Sequence, residues 1–201
     1  LTAAELANVS GFETLTVATN AASGLITLGD DNIAADASLT VDATAQTNTN
    51  FSIDAALEAD GTLTINRGAS TGNATITLGQ GDDTYTSTSS GVDTVTGTAG
   101  DNTITTGGGA DLVTAGTGTE TVTLGSGNDT YTTTTALFAG TDTIAGGDGT
   151  DTITISDAGT HVDADFANIT TVEGFSYGNN ATTLTLGAAS AAAGLNSVTD
   201  G

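Results

Sequence analysis

"LGSGNDTYT", residues 124–132, holds two glycines one residue apart, then an aspartate, then an alternating Thr-Tyr-Thr. The same phrase returns as "LGQGDDTYT" at 78–86, "TGGGADLVT" at 106–114 and "GGDGTDTIT" at 146–154. Aligning the glycine that precedes each acid reveals a nine-residue period. Working outward, the period takes in 69–77 "ASTGNATIT", 88–96 "TSSGVDTVT", 97–105 "GTAGDNTIT", 115–123 "AGTGTETVT" and 137–145 "LFAGTDTIA". Only Ser87 and the four residues 133–136 break the register.

Three positions carry the pattern. The fourth is glycine in all nine units, and the eighth is always large and apolar or aromatic, from Ile76 through Tyr85 and Tyr131 to Ile153. The sixth is Asp in six units: Asp83, Asp93, Asp111, Asp129, Asp142 and Asp151. Ala74, Asn102 and Glu120 replace it elsewhere. Glycine opens backbone conformations that other residues avoid, so it marks a tight turn. The Thr-apolar-Thr segment alternates with period two, which reads as a short strand with its eighth residue inward and its seventh and ninth outward. One such strand buries nothing alone. Stacked coils of two units each bury a continuous core.

This nonapeptide resembles the repeat of the RTX family of calcium-binding secreted proteins, firmly over 78–154 and weakly over 69–77. The resemblance implies an all-β fold, a right-handed parallel β-roll or β-solenoid, with several calcium ions each held between two stacked turns. Calcium takes six to eight oxygens from carboxylates and backbone carbonyls. The glycine turns supply carbonyls and the sixth position supplies a carboxylate.

Units two apart share an edge of such a coil. One edge stacks 88–96, 106–114, 124–132 and 146–154, with Asp93, Asp111, Asp129 and Asp151 as ligands. Gly107, Gly109, Gly125, Gly127, Gly147 and Gly149 shape its turns. The other edge carries Asp83, Asn102, Glu120 and Asp142. Asn102 lacks the charge and Glu120 is one carbon longer, so the first edge is expected to bind calcium more fully.

Composition narrows the function. There are 24 acidic residues against one Lys/Arg, Arg67, for a net charge of −23. Nucleic acid and anionic membranes need basic residues to replace counterions, so neither is a partner. No apolar run approaches the roughly 20 residues of a spanning helix. Cysteine and Lys are absent and His161 is single, which leaves no nucleophile, zinc site or phosphate clamp. No enzyme is expected. His161 reads as an ordinary surface or core residue, and Tyr85 and Tyr131 as core filling. The chain starts at Leu1 without Met, which reads as a piece of something longer.

The array occupies 69–154 between two flanks, 1–68 and 155–201, expected to continue the solenoid with irregular β coils. Asn8 to Glu13 parallels Asn168 to Glu173, and "TLTV" at 14–17 parallels "TLTL" at 183–186. The flanks therefore look like copies of one module. Asp31 in "GDDNI" has the spacing of an extra ligand, and the Ala-rich 188–193 reads as a short helical turn. Thr-, Ala-, Gly- and Asp-rich chains that mix such strands with RTX-like turns resemble bacterial surface-layer proteins, secreted by type I machinery. That resemblance implies a calcium-binding structural protein at the extracellular cell surface. Its partners would be copies of itself in a lattice or filament, with cell-surface polysaccharide bound through another part of the chain. An RTX adhesin segment, an ice-binding protein with Thr-x-Thr rows, and the secretion β-roll of an RTX enzyme or toxin are the alternatives.

Overall fold

In the computed structural model, residues 6, 9–18, 24–47, 50–138, 140–177 and 183–200 are described. The flank strands come first: β1 (Thr14–Thr16), β2 (Leu25–Gly29), β3 (Ser38–Ala43), β4 (Phe51–Leu57) and β5 (Thr62–Arg67). The array follows with β6 (Ala74–Thr77), β7 (Thr84–Ser87), β8 (Asp93–Thr96), β9 (Thr103–Thr105), β10 (Leu112–Thr114), β11 (Thr121–Gly127), β12 (Thr130–Thr133), β13 (Thr143–Gly149) and β14 (Thr152–Ile155). The last strands are β15 (Thr160–His161), β16 (Ile169–Thr170), β17 (Gly174–Tyr177), β18 (Thr183–Leu184) and β19 (Ser197–Asp200).

Odd-numbered strands from β1 to β13, then β16, form one eight-stranded sheet. Even-numbered strands from β2 to β14, then β17 and β19, form a nine-stranded sheet facing it, and β15 pairs with β18 alone. Every pairing is parallel, as a chain that winds in coils of two strands requires. The protein is an all-β parallel solenoid, and the two sheets run through both flanks and the array.

The sequence period dictates the core. In the nine-stranded sheet Ile26, Ile53, Ile76, Val95, Val113, Tyr131, Ile153 and Phe175 stand in one register column. In the other sheet the column is Leu15, Val41, Ile65, Tyr85, Ile104, Val122, Ile144 and Ile169. All nine eighth-position residues are buried. Each contributes about 1.5–3 kcal/mol of hydrophobic stabilisation. They belong to one continuous core cluster, so the stack is stabilised as a whole.

The insert at 133–136 leaves the stack intact, since β12 pairs with β14 and β11 with β13 across it. It delivers Phe138 into a wider core, edge-on to Phe166 at 5.4 Å and beside His161 at 5.7 Å. His161 is fully buried there, a core histidine against Phe138 and Phe175. The Ala-rich segment forms a short α-helix, α1 (Ala188–Ala193). The Asp163 carboxylate accepts from Ala189 N and Ser190 N at its start, which holds that carboxyl down at about 2.

Candidate metal centre

The turns between strands stack as closely as the strands do. Gly125, Ser126 and Gly127 lie in register on Gly147, Asp148 and Gly149. The six glycines expected to shape the first edge all have positive φ, from +99° at Gly125 to +147° at Gly127. At Gly127 two constraints coincide. An L side chain avoids that φ, and a Cβ would overlap the carbonyl oxygen of Gly109 in the coil before. Glycine is therefore dictated by coil spacing as well as by the turn itself.

Each turn delivers its sixth residue inward, because that residue shares strand parity with the core residue two places on. Asp83, Asp93, Asn102, Asp111, Glu120, Asp129, Asp142 and Asp151 are each no more than 3% exposed. On the first edge they form a ladder. Asp93 N donates to Asp111 Oδ1 at 2.7 Å, Asp111 N to Asp129 Oδ1 at 2.7 Å, and Asp129 N to Asp151 Oδ1 at 2.9 Å. Asp151 N then donates to Glu173 Oε2 at 2.9 Å, so the ladder continues one step past the nonapeptides. The second oxygens of Asp111, Asp129 and Asp151 are buried without a hydrogen-bond partner.

The second edge is more nearly closed on itself. Asp83 accepts Leu63 N on Oδ1 at 2.7 Å and Gly79 N on Oδ2 at 2.8 Å. Asn102 accepts from Asp83 N and donates to Ala99 O, Gly100 O and Glu120 Oε1. Tyr131 reaches across the core to donate its hydroxyl to Asp142 Oδ2 at 2.9 Å. Only Glu120 Oε2 is left unpartnered among these four side chains. Among the sixth-position side chains, hydrogen bonding is asymmetric: three orphan carboxylate oxygens stand on the first edge and one on the second.

The head of the first edge shows what the orphans lack. Arg67, at the end of β5, is 2% exposed. Its guanidinium donates to Asp93 Oδ1 at 2.5 Å and to the carbonyl oxygen of Gly72 in the preceding turn. Tyr85 donates its hydroxyl to Asp93 Oδ2 at 2.9 Å. A protein-borne cation therefore sits between a sixth-position carboxylate and a glycine carbonyl of the turn before. In the coils that follow, the same kinds of oxygen recur without a side-chain cation.

Burial pushes the carboxyls of Asp83 and Asp111 up to about 6 and that of Glu120 up to about 7. It also raises Asp93, Asp129, Asp142 and Asp151. Buried charge without a partner is strongly destabilising. A stack of carboxylate oxygens and glycine carbonyls matches the oxygen-only preference of a hard divalent cation. These residues fit calcium: Asp111, Asp129, Asp151 and Glu120 present the oxygens that would hold it. When bound, calcium supplies the positive charge that offsets the ladder's repulsion.

Of the residues picked out from the sequence, Asp31 is not brought to a site; it lies exposed in a 3-10 turn (Asp30–Asn32), and its neighbour Asp30 faces the next coil instead. Sequence reasoning missed Arg67, Glu173 and Glu58. Glu58 opens 58–66, "EADGTLTIN", whose Gly61 and Ile65 fill the fourth and eighth positions. That unit stacks beneath 78–86, with Gly81 close against the Gly61 carbonyl. The two matching positions were the available signal.

The RTX calcium-binding nonapeptide repeat family (four copies) matches residues 87–119, 96–131 and 138–154. These segments take in Asp93, Asp111, Asp129 and Asp151 of the first edge and Asn102, Glu120 and Asp142 of the second, while Asp83 lies outside them. No curated protein and no solved structure matches the chain.

Proposed function

We propose that this chain is a calcium-dependent structural segment of a secreted bacterial surface protein, assembling with copies of itself into a surface-layer lattice. It carries RTX calcium-binding repeats on a parallel β-solenoid, and such repeats are typical of secreted proteins. No helix among the described residues is long and apolar enough to cross a membrane.

The observation that carries the assembly reading is the charge of the coiled body: 24 acidic residues against one Lys/Arg on a single parallel solenoid. Bodies carrying −23 repel one another, so association needs divalent cations between them. The role is structural, with no catalysis by this chain. Electron microscopy of the purified chain in millimolar calcium tests the proposal. Ordered sheets or fibres that dissolve in chelator support it; monomeric particles at every calcium concentration sink it.

One feature favours a second reading, ice binding. Thr14, Thr40, Thr64, Thr84, Thr103, Thr121 and Thr143 form an unbroken outward column on the eight-stranded sheet. Thermal hysteresis in the calcium-loaded protein would select that reading, and its absence removes it.

A further inference from the structure

We propose that Asp30, Glu58 and Asp60 form a separate site for a calcium-sized divalent cation in the first flank, outside the nonapeptide ladder. One ligand oxygen from each lies within 4.8 Å of the others. Oxygens on opposite sides of a calcium ion, at about 2.4 Å each, stand about 4.8 Å apart. Three oxygens this close come within reach of one such ion once the exposed Asp30 and Asp60 side chains turn toward it.

Glu58 makes the cluster more than a group of surface acids. It is fully buried, and its Oε1 accepts Gly61 N at 2.7 Å and Asp60 N at 3.1 Å. That grip fixes the carboxylate, while Oε2 is buried with no hydrogen-bond partner. Gly79 leaves room beside it, since a Cβ there would stand 2.7 Å from Oε2. Asp30 comes from the preceding coil, and its Oδ1 accepts Ala59 N at 3.2 Å, which draws the two coils together at this point. No basic side chain is available to neutralise the three charges, because the chain's one Lys/Arg, Arg67, is bound to Asp93.

The ligand logic differs from that of the array. Glu58 and Asp60 occupy the first and third positions of their unit, and Asp30 belongs to a 3-10 turn. All three are oxygen donors, which selects a hard cation over zinc or copper. Bound there, the ion ties the turn after β2 to the turn after β4, fastening flank coils that lack the regular ladder.

The site shares no residue with the ladder, so the two can fail separately. Calcium per chain is counted by native mass spectrometry after dialysis against calcium. The proteins compared are the wild type, Asp30→Asn/Asp60→Asn, Glu58→Gln, and an array control, Asp111→Asn/Asp129→Asn. Asp30 and Asp60 are exposed, so their double variant keeps the fold, checked by circular dichroism. The inference expects that variant and Glu58→Gln each to bind one ion fewer than the wild type, and the array control to keep the flank ion. An unchanged count in Asp30→Asn/Asp60→Asn overturns the flank site, whatever the array does. A wild type whose bound calcium is lost in the flank variant but not in the array control removes the array reading and leaves this site standing.

Discussion

Replacing Asp129 by Asn should change the sign of its effect when calcium is removed. Asp129 stands mid-ladder: Oδ1 accepts Asp111 N at 2.7 Å, its own N–H donates to Asp151, and Oδ2 is buried without a partner. Asparagine keeps the acceptor, removes the charge and turns its amide N–H toward the carbonyls of its own turn, as Asn102 does with Ala99 O and Gly100 O. Without calcium, the wild type carries an unsatisfied buried oxygen, which costs about 1–3 kcal/mol. Relief of that cost should raise the melting temperature of the chelated variant by about 3–10 °C, at about 2–4 °C per kcal/mol for a chain of this size. With calcium the balance reverses. A site at a hundred times its dissociation constant contributes about 2.7 kcal/mol, and Asp129 borders two stacked-turn intervals. Losing both ions outweighs the relief, so the loaded variant should melt about 5–15 °C below the wild type. The assay is thermal melting by circular dichroism at 217 nm (a β-sheet band) in excess chelator and in about 10 mM calcium. If the chelated wild type has no cooperative melt, the same sign is read as more β signal in the variant. A variant destabilised equally in both conditions would refute the reasoning, because Asp129 would then be only a hydrogen-bond acceptor.

Three further outcomes follow from the same geometry. Gly127→Ala meets both a φ of +147° and the Gly109 carbonyl, so it should cost more than the roughly 1–3 kcal/mol of backbone strain alone; denaturant unfolding showing wild-type stability would contradict the close stacking. Arg67→Met leaves Asp93 without its cation, at about 3–5 kcal/mol in chelator. In calcium the loss should be smaller as the ion takes the guanidinium's place, and equal losses in chelator and calcium would refute that equivalence. The third concerns pH. Burial raises Asp83 and Asp111 to about 6 and Glu120 to about 7, above unfolded values of 3.8 and 4.5. The stability they give the calcium-free protein is full below those unfolded values and is lost as pH rises through 6 to 7. Calcium requires the ionised forms, so its affinity should fall about tenfold per pH unit for each proton released as pH drops below 6. Melting and calcium titrations across pH 4–8 check both slopes, and a calcium-free protein that gains stability toward pH 8 contradicts the burial argument.

The array was legible because its rules are local. A glycine at the fourth place and an apolar residue at the eighth fix turn and strand within nine residues, and stacking follows from the period. The four-residue insert at 133–136 was legible only as a break in the register. The partners of the carboxylates were not legible. Arg67 meets Asp93 from 26 residues away, and Tyr131 meets Asp142 across the core. By residue type alone Asp93, Asp111 and Asp142 are alike; burial with different neighbours makes Asp111 an open oxygen and the other two satisfied ones. Glu173 hid because the unit before it lacks the glycine phrase, although its match to Glu13 had marked it as recurrent. Asp30, Glu58 and Asp60 come from two irregular coils, and no period joins them. Asp31 was chosen on spacing, but the 3-10 turn presents Asp30 to the next coil.

The central claim is that the inward carboxylates exist to hold calcium. Calcium anomalous diffraction from crystals grown in calcium tests it most directly. The account predicts peaks beside the unpartnered oxygens of Asp111, Asp129 and Asp151, and none between Asp93 and Gly72, where the Arg67 guanidinium already sits. A folded, well-ordered solenoid in saturating calcium with no anomalous peak along this edge would contradict it.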